Sequence, residues 1–338
     1  MRTEPLISIV IVNYNGKEYL LPCLESVFRS AYPAYEVILV DNASTDGSIE
    51  EALRYFSSEK RLRISRSDTN ELYTGGYNIG IRLARGEYVV CLNNDTEVDS
   101  GWLREIALIM QDAQIGAAVP KILVYGSEPA RIDYCGAAID RHGFAVGYGA
   151  GEADKGQFDR LSDVFYAGGT AMVLRRSVLG QVGLFDPKFG MHWEETDLSW
   201  RIRLAGYRIV VVPGARVYHK GSLTMKRFSR SARVSWYIKK NRLAGLIKNY
   251  GPWNLLRSVP CLVLAYLIIA LRDALLRRDI AGSKSSLAAI SWNIKELPYL
   301  LRQRRRVQKQ VRRVKDKEVV RYMYRGSLLR TSFGGAHG

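Results

Sequence analysis

The chain has 338 residues, of which 47% are hydrophobic and 25% charged, so it can bury a large core and is not a disordered protein. Its four cysteines never form a Cys-x-x-Cys pair, which argues against a zinc ribbon or a disulfide scaffold and predicts buried, reduced thiols. We expect no signal peptide, because the first apolar run ends at Val12 and leads into a polar turn.

The net charge of +17 is concentrated in the C-terminal third of the chain. Residues 226–338 hold 26 Lys and Arg against 5 Asp and Glu, whereas residues 1–225 carry a net charge of −4. A basic region joined to a nearly neutral body predicts an anionic partner, either a membrane surface or a nucleic acid. We therefore place a domain boundary at this change in composition, between residues 225 and 226.

Residues 6–120 alternate short apolar runs with helical patterns. The predicted strands are 7–12, 37–40, 62–64 and 88–92. The predicted helices are 19–29, 47–56, 78–84 and 102–110. Strands that alternate with helices imply βαβ units and a mostly parallel sheet. The carboxyl ends of such strands share one edge, and ligands bind at that edge.

Three polar loops follow predicted strands at this edge. Asn13 and Asn15 follow the first strand, Asp41 the second, and Asn93-Asn94-Asp95 the fourth. Asn, Asp and Ser are also common in turns, so one such loop alone would be structural, but three on one edge favour a ligand site. The loop at 93–95 suits Mg²⁺ or Mn²⁺, which take oxygen ligands, although it could equally be a turn that caps the next helix.

Residues 121–225 are less regular and contain two further candidate groups. Glu194, Glu195 and Asp197 stand at the start of a predicted helix at 195–205, where acids favour the helix dipole. Adjacent carboxylates also depress each other's acidity, so one of them could act as a general base toward an acceptor hydroxyl. His219 follows a predicted strand at 209–212 and could reach the same edge as Asp95. Imidazole is a common ligand of divalent metals, although a lone His is more often packed or solvated.

The ordered motifs resemble the GT-A fold glycosyltransferases of family 2, and among them the rhamnosyltransferase-like branch that builds bacterial surface polysaccharides. The resemblance covers roughly residues 6–225 and rests on residues 7–16, 37–48 and 92–97. It implies an α/β, Rossmann-like GT-A fold with a mostly parallel sheet flanked by helices, followed by a basic helical C-terminal extension. Residues 1–120 would form the nucleotide-sugar half and residues 121–225 the acceptor half.

The resemblance also implies roles for single residues on the nucleotide side. Asp41 matches the acid that contacts the base or ribose, and Asn78 matches a helix-start amide near the nucleotide. Asn93-Asn94-Asp95 matches the DxD motif that binds metal and diphosphate, with Asp95 as the principal ligand. His219 matches a His that completes the metal site in several relatives. Asn13, Asn15 and Asn94 join the expected nucleotide-sugar site because they lie on the same loops.

On the acceptor side, residues 194–197 match the family's ED-x-D stretch, whose second acid resembles the catalytic base. Glu195 is therefore the expected base, with Glu194 as the fallback and Asp197 beside them. The family is inverting, which implies a single displacement assisted by Mg²⁺ or Mn²⁺. Rhamnose from dTDP-rhamnose is the donor that the resemblance suggests, while galactose, glucose and N-acetylglucosamine donors stay open.

Two departures from the family pattern bear on these roles. Asn93 stands where the first acid of the DxD motif is expected, so one anionic metal ligand is lost. The usual Asn-x-Gly-Phe stretch reads Asn70-Glu-Leu-Tyr73, which points to a different donor pocket.

The C-terminal third predicts contact with a membrane. The 13 apolar residues at 259–271 are fewer than the about 20 that a membrane span needs, and extension back to residue 253 includes Arg257 and Pro260. A span is therefore second to an interfacial or buried helix with cationic flanks. The basic run at 300–317 favours anionic phospholipid, which places a peripheral enzyme on the cytoplasmic face of the membrane, beside a polyprenyl-linked or polysaccharide acceptor.

Two alternatives use the same features differently. The basic region could bind nucleic acid, but it lacks a known DNA- or RNA-binding pattern and has few aromatic residues in its basic run, so no nucleic-acid partner is expected. The chain could also be a non-catalytic relative that binds a membrane or nucleic acid. The acids at positions 95, 194, 195 and 197 argue against that interpretation.

Overall fold

The structure, a computed structural model, describes residues 4–221 and 231–329, and most of its strands form one mixed sheet. The strands are β1 (Ile7–Asn13), β2 (Tyr35–Asp41), β3 (Leu62–Arg66), β4 (Tyr88–Asn93), β5 (Thr96–Val98), β6 (Ile115–Val124), β7 (Ile132–Tyr134), β8 (Ala137–Ile139), β9 (Ala145–Gly147), β10 (Ser162–Asp163), β11 (Ala171–Arg175) and β12 (Arg208–His219). The helices are α1 (Lys17–Phe28), α2 (Ser48–Tyr55), α3 (Leu72–Leu83), α4 (Trp102–Ile109), α5 (Arg176–Val182), α6 (Glu194–Leu204), α7 (Ala232–Asn249), α8 (Pro252–Leu275), α9 (Ile280–Lys295), α10 (Leu297–Arg306) and α11 (Asp316–Val320), with a π-helical turn at Val307–Val311 between the last two.

The sheet has the order β10-β12-β6-β11-β4-β1-β2-β3, and its β3-β2-β1-β4 portion is parallel throughout. These strands are rich in Val, Ile and Leu, and β1, β2 and β4 are buried along nearly their whole length, as parallel strands covered on both faces are. The chain passes from β1 to β2 and β3 on one side and then returns to β4 on the other. The carboxyl ends of β1 and β4 therefore flank a topological switch point, where ligands bind in such sheets.

The helix predicted at 78–84 begins six residues earlier, at Leu72. Gly75 and Gly76 weaken the helical pattern of its first turns, which is why the sequence did not reveal them. A Cβ at Gly76 or Gly80 would collide with Val12 or Val10 of β1. These glycines therefore let α3 approach the sheet closely, and their low helix propensity is outweighed by that packing.

Strand β12 is also longer than predicted, since it extends from Arg208 to His219. Its pairing with β6 shifts register between Val212 and Arg216, around Pro213 and Gly214, which are residues that normally interrupt a strand. Beyond this irregularity the strand resumes and pairs His219 with Thr96 of β5. This pairing carries His219 to the loop that holds Asp95.

The C-terminal helices pack onto the sheet domain. A second hydrophobic cluster joins Trp193 and Trp200 with Tyr250, which follows α7, and Leu300 of α10. The predicted boundary between residues 225 and 226 lies outside the described residues and stays a prediction. The thiol prediction holds for three cysteines, but it is wrong for Cys261, which is exposed on α8.

Helix α8 is, within the described ranges, the one helix long and apolar enough to cross a membrane. It is apolar on all sides, but only one stripe is buried against the rest of the protein. The buried residues include Leu262, Tyr266 and Ile269, whereas Leu264 and Leu271 on the opposite side are 58% and 61% exposed.

Candidate active site

The three polar loops predicted at the sheet edge meet in one hydrogen-bond network. Asn13, at the end of β1, donates through Nδ2 to the hydroxyls of Ser44 (3.1 Å) and Ser48 (2.9 Å). Its Oδ1 accepts a hydrogen bond from Asn94 Nδ2 at 2.7 Å. Asn13 therefore ties the loops after β1, β2 and β4 together. A Cβ at Gly16 would collide with Asn94, so this approach requires glycine.

Asn15 and Asp41 lie in the same network. Asn15, at φ 51°, accepts from the backbone N–H of Thr45 at 2.8 Å, and Asp41 accepts from the backbone N–H of Ser44 at 2.9 Å. Asp41 is buried, and its Oδ1 stabilises the turn that follows β2. The structure thus brings the predicted Asn13, Asn15, Asp41 and Asn94 to one edge.

Asn78 occupies a different position from the predicted one. It lies in the middle of α3, is buried, and exchanges two hydrogen bonds with the backbone of Phe185, donating to its carbonyl (2.9 Å) and accepting from its N–H (3.1 Å). We therefore correct the prediction of a helix-start amide: the Asn78 side chain anchors the segment before α6 to α3.

The predicted metal ligands and the predicted base line one cavity of about 530 Å³. Its wall includes Asp95, Glu194, Glu195 and His219, which come from three distant parts of the chain. Its other side chains include Tyr73, Tyr134 and Tyr166. A cavity of this size, with aromatic walls and a few converging polar groups, is typical of a small-ligand site.

A strained turn presents the two glutamates to the cavity. His192 and Trp193 take positive φ angles of 61° and 74°, which non-glycine residues seldom adopt, and α6 begins immediately afterwards with Glu194. The turn is held by Asn241 of α7, whose Nδ2 lies 2.9 Å from the carbonyl oxygen of Met191 and 2.6 Å from that of His192. A helix from the C-terminal region thus supports the position of the carboxylates.

The pKa values of the two glutamates are raised to different extents. Burial and the neighbouring Glu195 raise the pKa of Glu194 well above its usual value. Burial also raises the pKa of Glu195, in this case to about 7. Each has a buried Oε2 without a hydrogen-bond partner in the part of the chain that the structure describes. Two adjacent buried carboxylates do not both ionise readily, so Glu195 is the one that can ionise near neutral pH.

Asp197 does not face the cavity, and its predicted place among the catalytic residues is corrected. Its Oδ2 lies 3.0 Å from Arg201 and 3.1 Å from Lys248, and its Oδ1 accepts from Asn249 Nδ2 at 2.9 Å. Burial opposes ionisation, but Lys248 and Arg201 outweigh it and hold the pKa of Asp197 below its usual value. Asp197 therefore joins α6 to α7 through buried ion pairs.

Asp95 and His219 face each other across 3.4 Å, measured from Oδ2 to Nε2. The other ring nitrogen, Nδ1, lies 2.7 Å from Asp133 Oδ2. Burial alone would lower the pKa of His219, but Asp133 and Asp95 raise it to about 9. Asp95 Oδ1 is buried and has no hydrogen-bond partner among residues 4–221 and 231–329.

These atoms fit a hard divalent cation. A Cβ at Gly221 would collide with Asp95 Oδ2 and His219 Nε2, so the glycine lets the backbone approach both side chains closely. No group of three or more His, Cys, Asp or Glu that could hold a metal occurs within the described residues. Asp95 and His219 would therefore supply two protein ligands, and substrate phosphates and water would complete the shell, as is common for Mg²⁺.

Three residues around the site were not predicted from the sequence: Asp133, Asn241 and Lys248. Asp133 lies in a segment without an interpretable motif, and the other two lie in the region interpreted only through its positive charge. A buried Lys and Asn on a helix resemble solvated residues in sequence, so no pattern distinguishes them. Tyr73 was noted only as a departure from the family pattern, yet it lines the cavity and donates to the carbonyl of Gly169 at 2.8 Å.

Comparisons with known proteins identify the family of this chain. Residues 8–183, just over half of the chain, match the family model described as Glycosyl transferase family 2. The uncharacterized protein y4gI of Sinorhizobium fredii is 31% identical over 71% of this chain and 28% of its own length. The low-salt glycan biosynthesis hexosyltransferase Agl10 of Haloferax volcanii is 27% identical over 70% of this chain and 75% of its own. The O-antigen biosynthesis protein RfbC of Myxococcus xanthus is 25% identical over 67% of this chain and 18% of its own length. The chain thus spans less than a third of y4gI and of RfbC.

Solved structures share the fold at low sequence identity. TarS of S. aureus, in complex with UDP, superposes with a TM-score of 0.57 at 15% identity, over 97% of this chain and 91% of TarS. The mannosyltransferase PcManGT of Pyrobaculum calidifontis, in complex with GDP-Man and Mn²⁺, gives a TM-score of 0.53 at 17% identity, over 87% and 88%. The fold and the sequence match together show that this chain belongs to glycosyl transferase family 2, with the GT-A fold that its motifs predicted.

Proposed function

We propose that this protein is an inverting glycosyltransferase that moves a sugar from a nucleotide-diphosphate donor to an acceptor hydroxyl. The observation that carries the proposal is the convergence of Asp95, His219 and Glu195 on one cavity. The polar network around Asn13 lies at the switch point of the sheet, where a nucleotide would bind. The sugar would then lie between the nucleotide edge and Glu195.

Glu195 is the general base in this proposal. Glu195 lines the cavity, where its carboxylate can accept a proton from the acceptor hydroxyl, and no described residue donates a hydrogen bond to its buried Oε2. The acceptor oxygen then attacks the anomeric carbon from the face opposite the leaving group. The bond to the nucleotide diphosphate breaks in the same step, which inverts the anomeric configuration. A base with a pKa near the working pH is effective in both accepting and releasing the proton.

Asp95 and His219 would hold a Mg²⁺ or Mn²⁺ next to the donor diphosphate. The chemistry that the bound cation supplies is neutralisation of the charge that develops on the leaving diphosphate. Two solved relatives of this fold support the assignment, since GalNAc-T7 and PcManGT were each crystallised with Mn²⁺. Asp95 lies close to His219, and Oδ1 of the Asp95 carboxylate has no hydrogen-bond partner among the described residues.

The resemblance to one branch of the family supports a proposal for the donor and the acceptor. We propose a hexose or deoxyhexose donor, with dTDP-rhamnose first, and a polyprenyl-linked or polysaccharide acceptor. The names of the relatives support this class: Agl10 is a hexosyltransferase of glycan biosynthesis, and RfbC is a protein of O-antigen biosynthesis.

A donor screen tests the proposal. Purified protein is incubated with dTDP-rhamnose and with UDP-, GDP- and dTDP-hexoses, and thermal stabilisation and release of nucleotide diphosphate are measured with Mn²⁺ or with EDTA. We expect one donor class to stabilise the protein and to be hydrolysed slowly in the presence of Mn²⁺. Asp95→Asn should abolish the Mn²⁺-dependent part. Full activity in EDTA would contradict the cation, and the absence of any stabilising donor would contradict the transferase.

We also propose that the protein rests on the cytoplasmic face of an anionic membrane. The exposed stripe of α8 carries Trp253, Leu256, Leu264 and Leu271 at helical spacing. The other stripe is packed in the second hydrophobic cluster, and Tyr266 donates to the carbonyl of Lys239 in α7 at 3.3 Å. A helix with one packed face and one exposed apolar face favours lying in the interface over spanning the bilayer.

The cations around α8 divide into two groups. Arg304 and Arg312 donate to backbone carbonyls at the end of α7, where they cap the helix. Arg257, Arg302 and Lys309 are among those that stay exposed and can meet lipid phosphates. Each exposed basic residue near an anionic surface contributes about 1 kcal/mol to binding.

Vesicle flotation tests the membrane contact. The full chain should float with phosphatidylcholine vesicles that contain phosphatidylglycerol, and the double variant Leu264→Glu/Leu271→Glu should stay in solution. Leu108→Glu is the matched control, because Leu108 is 59% exposed on α4, in the sheet domain. Equal flotation of all three proteins would contradict the α8 surface. Binding to DNA at salt concentrations that prevent flotation would favour the nucleic-acid alternative.

A further inference from the structure

The segment between β6 and β10, which carries no family motif, supplies a carboxylate to the cation site. Asp133 lies in β7, and its Oδ2 is 2.7 Å from His219 Nδ1. Two pairings explain the contact: Leu123 of β6 pairs with Ile132, next to Asp133, and Val124 of β6 pairs with His219 of β12. The sheet therefore brings Asp133 and His219 together although they are 86 residues apart.

The contact determines how the imidazole is presented. With Asp133 on Nδ1, the other nitrogen, Nε2, faces Asp95 Oδ2 at 3.4 Å. Carboxylates that accept from one ring nitrogen fix the tautomer and orientation in which the other nitrogen can bind a metal. The backbone of Gly221 lies next to both Asp95 Oδ2 and His219 Nε2, and a Cβ there would collide with them.

Asp133 also bears on the negative charge that the site lacks because residue 93 is Asn and not Asp. Asn93 stands at the first acid of the DxD motif, and its Oδ1 accepts from the hydroxyl of Tyr77 at 3.1 Å. Asn93 therefore uses its oxygen to hold α3, and it brings no negative charge to the site. Asp133 is the carboxylate in contact with the opposite side of the His219 ring, and it lines the same cavity as Asp95.

We propose that Asp133 is a positioning residue for a divalent cation, acting through His219 to orient Nε2 and to restore the negative charge that Asn93 lacks. This inference rests on the cation site of the proposed function. It assigns to residues 121–170 a part in holding the donor diphosphate in addition to shaping the acceptor half.

Mn²⁺ titration followed by electron paramagnetic resonance of the free ion tests the inference without any sugar donor. Asp133→Asn should weaken Mn²⁺ binding by about 10- to 100-fold, the range seen when a partner of a metal-bound His is removed. Asp133→Glu should recover part of the lost affinity. Glu152→Gln is the matched control, because Glu152 is an exposed acid on the same segment and its side chain contacts Gln157. Thermal unfolding checks that each variant is folded.

A double-mutant cycle with His219→Ala separates positioning from direct binding. If Asp133 acts through His219, Asp133→Asn should have little further effect in the His219→Ala background. An equal loss in both backgrounds would overturn the inference, since Asp133 would then bind the ion directly. Unchanged Mn²⁺ affinity in Asp133→Asn would overturn it as well. Wild-type protein that binds no Mn²⁺ would overturn the cation site as a whole, and the two failures are thereby distinguishable.

Discussion

The nucleotide edge of the sheet and the carboxylate side of the cavity are stabilised in different ways. At the nucleotide edge, Asn13 accepts a hydrogen bond from Asn94 and donates one to Ser44 in the loop that follows β2. On the carboxylate side, the turn before Glu194 is held by Asn241, which lies about 50 residues further along the chain. The first arrangement depends on the sheet, and the second depends on the C-terminal helices. The basic C-terminal region therefore helps to hold the carboxylate side of the cavity in place.

The largest effect on stability is expected from the ion pairs between α6 and α7. Lys248 lies 2.6 Å from Asp186 and 3.1 Å from Asp197, and all three are buried. Lys248→Met should lower the free energy of unfolding by about 3–5 kcal/mol, because it leaves two buried carboxylates without that cation. Urea denaturation measures the change. The exposed Lys284→Met on α9 should change it by less than about 0.5 kcal/mol, and a similar loss in both variants would contradict the proposed role of the pair.

The second effect is a pH dependence that originates on the carboxylate side. Burial raises the pKa of Glu195 to about 7, and only the ionised form can accept the acceptor proton. The transfer rate should therefore rise about tenfold per pH unit up to pH 7 and level off above it. A pH–rate profile with saturating donor measures this. A rate that falls as pH rises through 7 would contradict the assignment of Glu195 as base.

A smaller effect is expected from Asn241, which holds the turn before Glu194. Asn241→Ala removes the donor that holds the carbonyls of Met191 and His192 and should cost about 1–3 kcal/mol of stability. Its kcat should fall while KM for the donor stays nearly constant, because only the carboxylates are displaced. Asn293→Ala is the control, since this buried Asn on α9 donates to Lys240 and Ala289 and does not contact the turn. An equal fall in kcat in the control would indicate a general loss of packing.

The smallest effect belongs to the nucleotide edge. Asn94→Ala removes the hydrogen bond to Asn13. We expect the loss to weaken donor binding by about 1 kcal/mol, which corresponds to about a fivefold rise in KM for the donor. Its kcat should change little. Steady-state kinetics with the donor found in the screen measure both constants. A fall in kcat without a rise in KM would remove the contrast between the two regions.

Much of the fold was predictable because its signals are local. The apolar runs that form β1, β2 and β4, and the polar residues that follow them, obey the rules for parallel sheets, so the meeting of Asn13, Asp41 and Asn94 could be expected. The start of α3 could not, since Gly75 and Gly76 lower helix propensity, and Gly76 is needed for close packing on Val12 of β1. In the same way, proline and glycine inside β12 interrupt the strand pattern, so the sequence did not predict the part of the strand that carries His219.

The acidic residues of the candidate site were predicted from the sequence, but the residues that hold them in place were not. Asp95, Glu195 and His219 were found through motifs and strand ends, and they line one cavity. Asp197 was assigned to the site because it belongs to the ED-x-D stretch at 194–197, but residues two apart on a helix point in different directions, and Asp197 faces Lys248. Contacts such as that of Asp133 with His219 depend on strand register across distant parts of the chain, and no local pattern encodes it.

The most direct test of the central claim is the turnover of Glu195→Gln beside that of Glu194→Gln, measured with the donor found in the screen and with donor binding measured by calorimetry. We expect Glu195→Gln to bind the donor as the wild type does and to lose transfer by about 10²- to 10⁴-fold, the contribution of a general base. Glu194→Gln should lose far less, since burial and the neighbouring Glu195 raise the pKa of Glu194 and favour its neutral form. Wild-type turnover by a folded Glu195→Gln, or a larger loss in Glu194→Gln, would contradict the account.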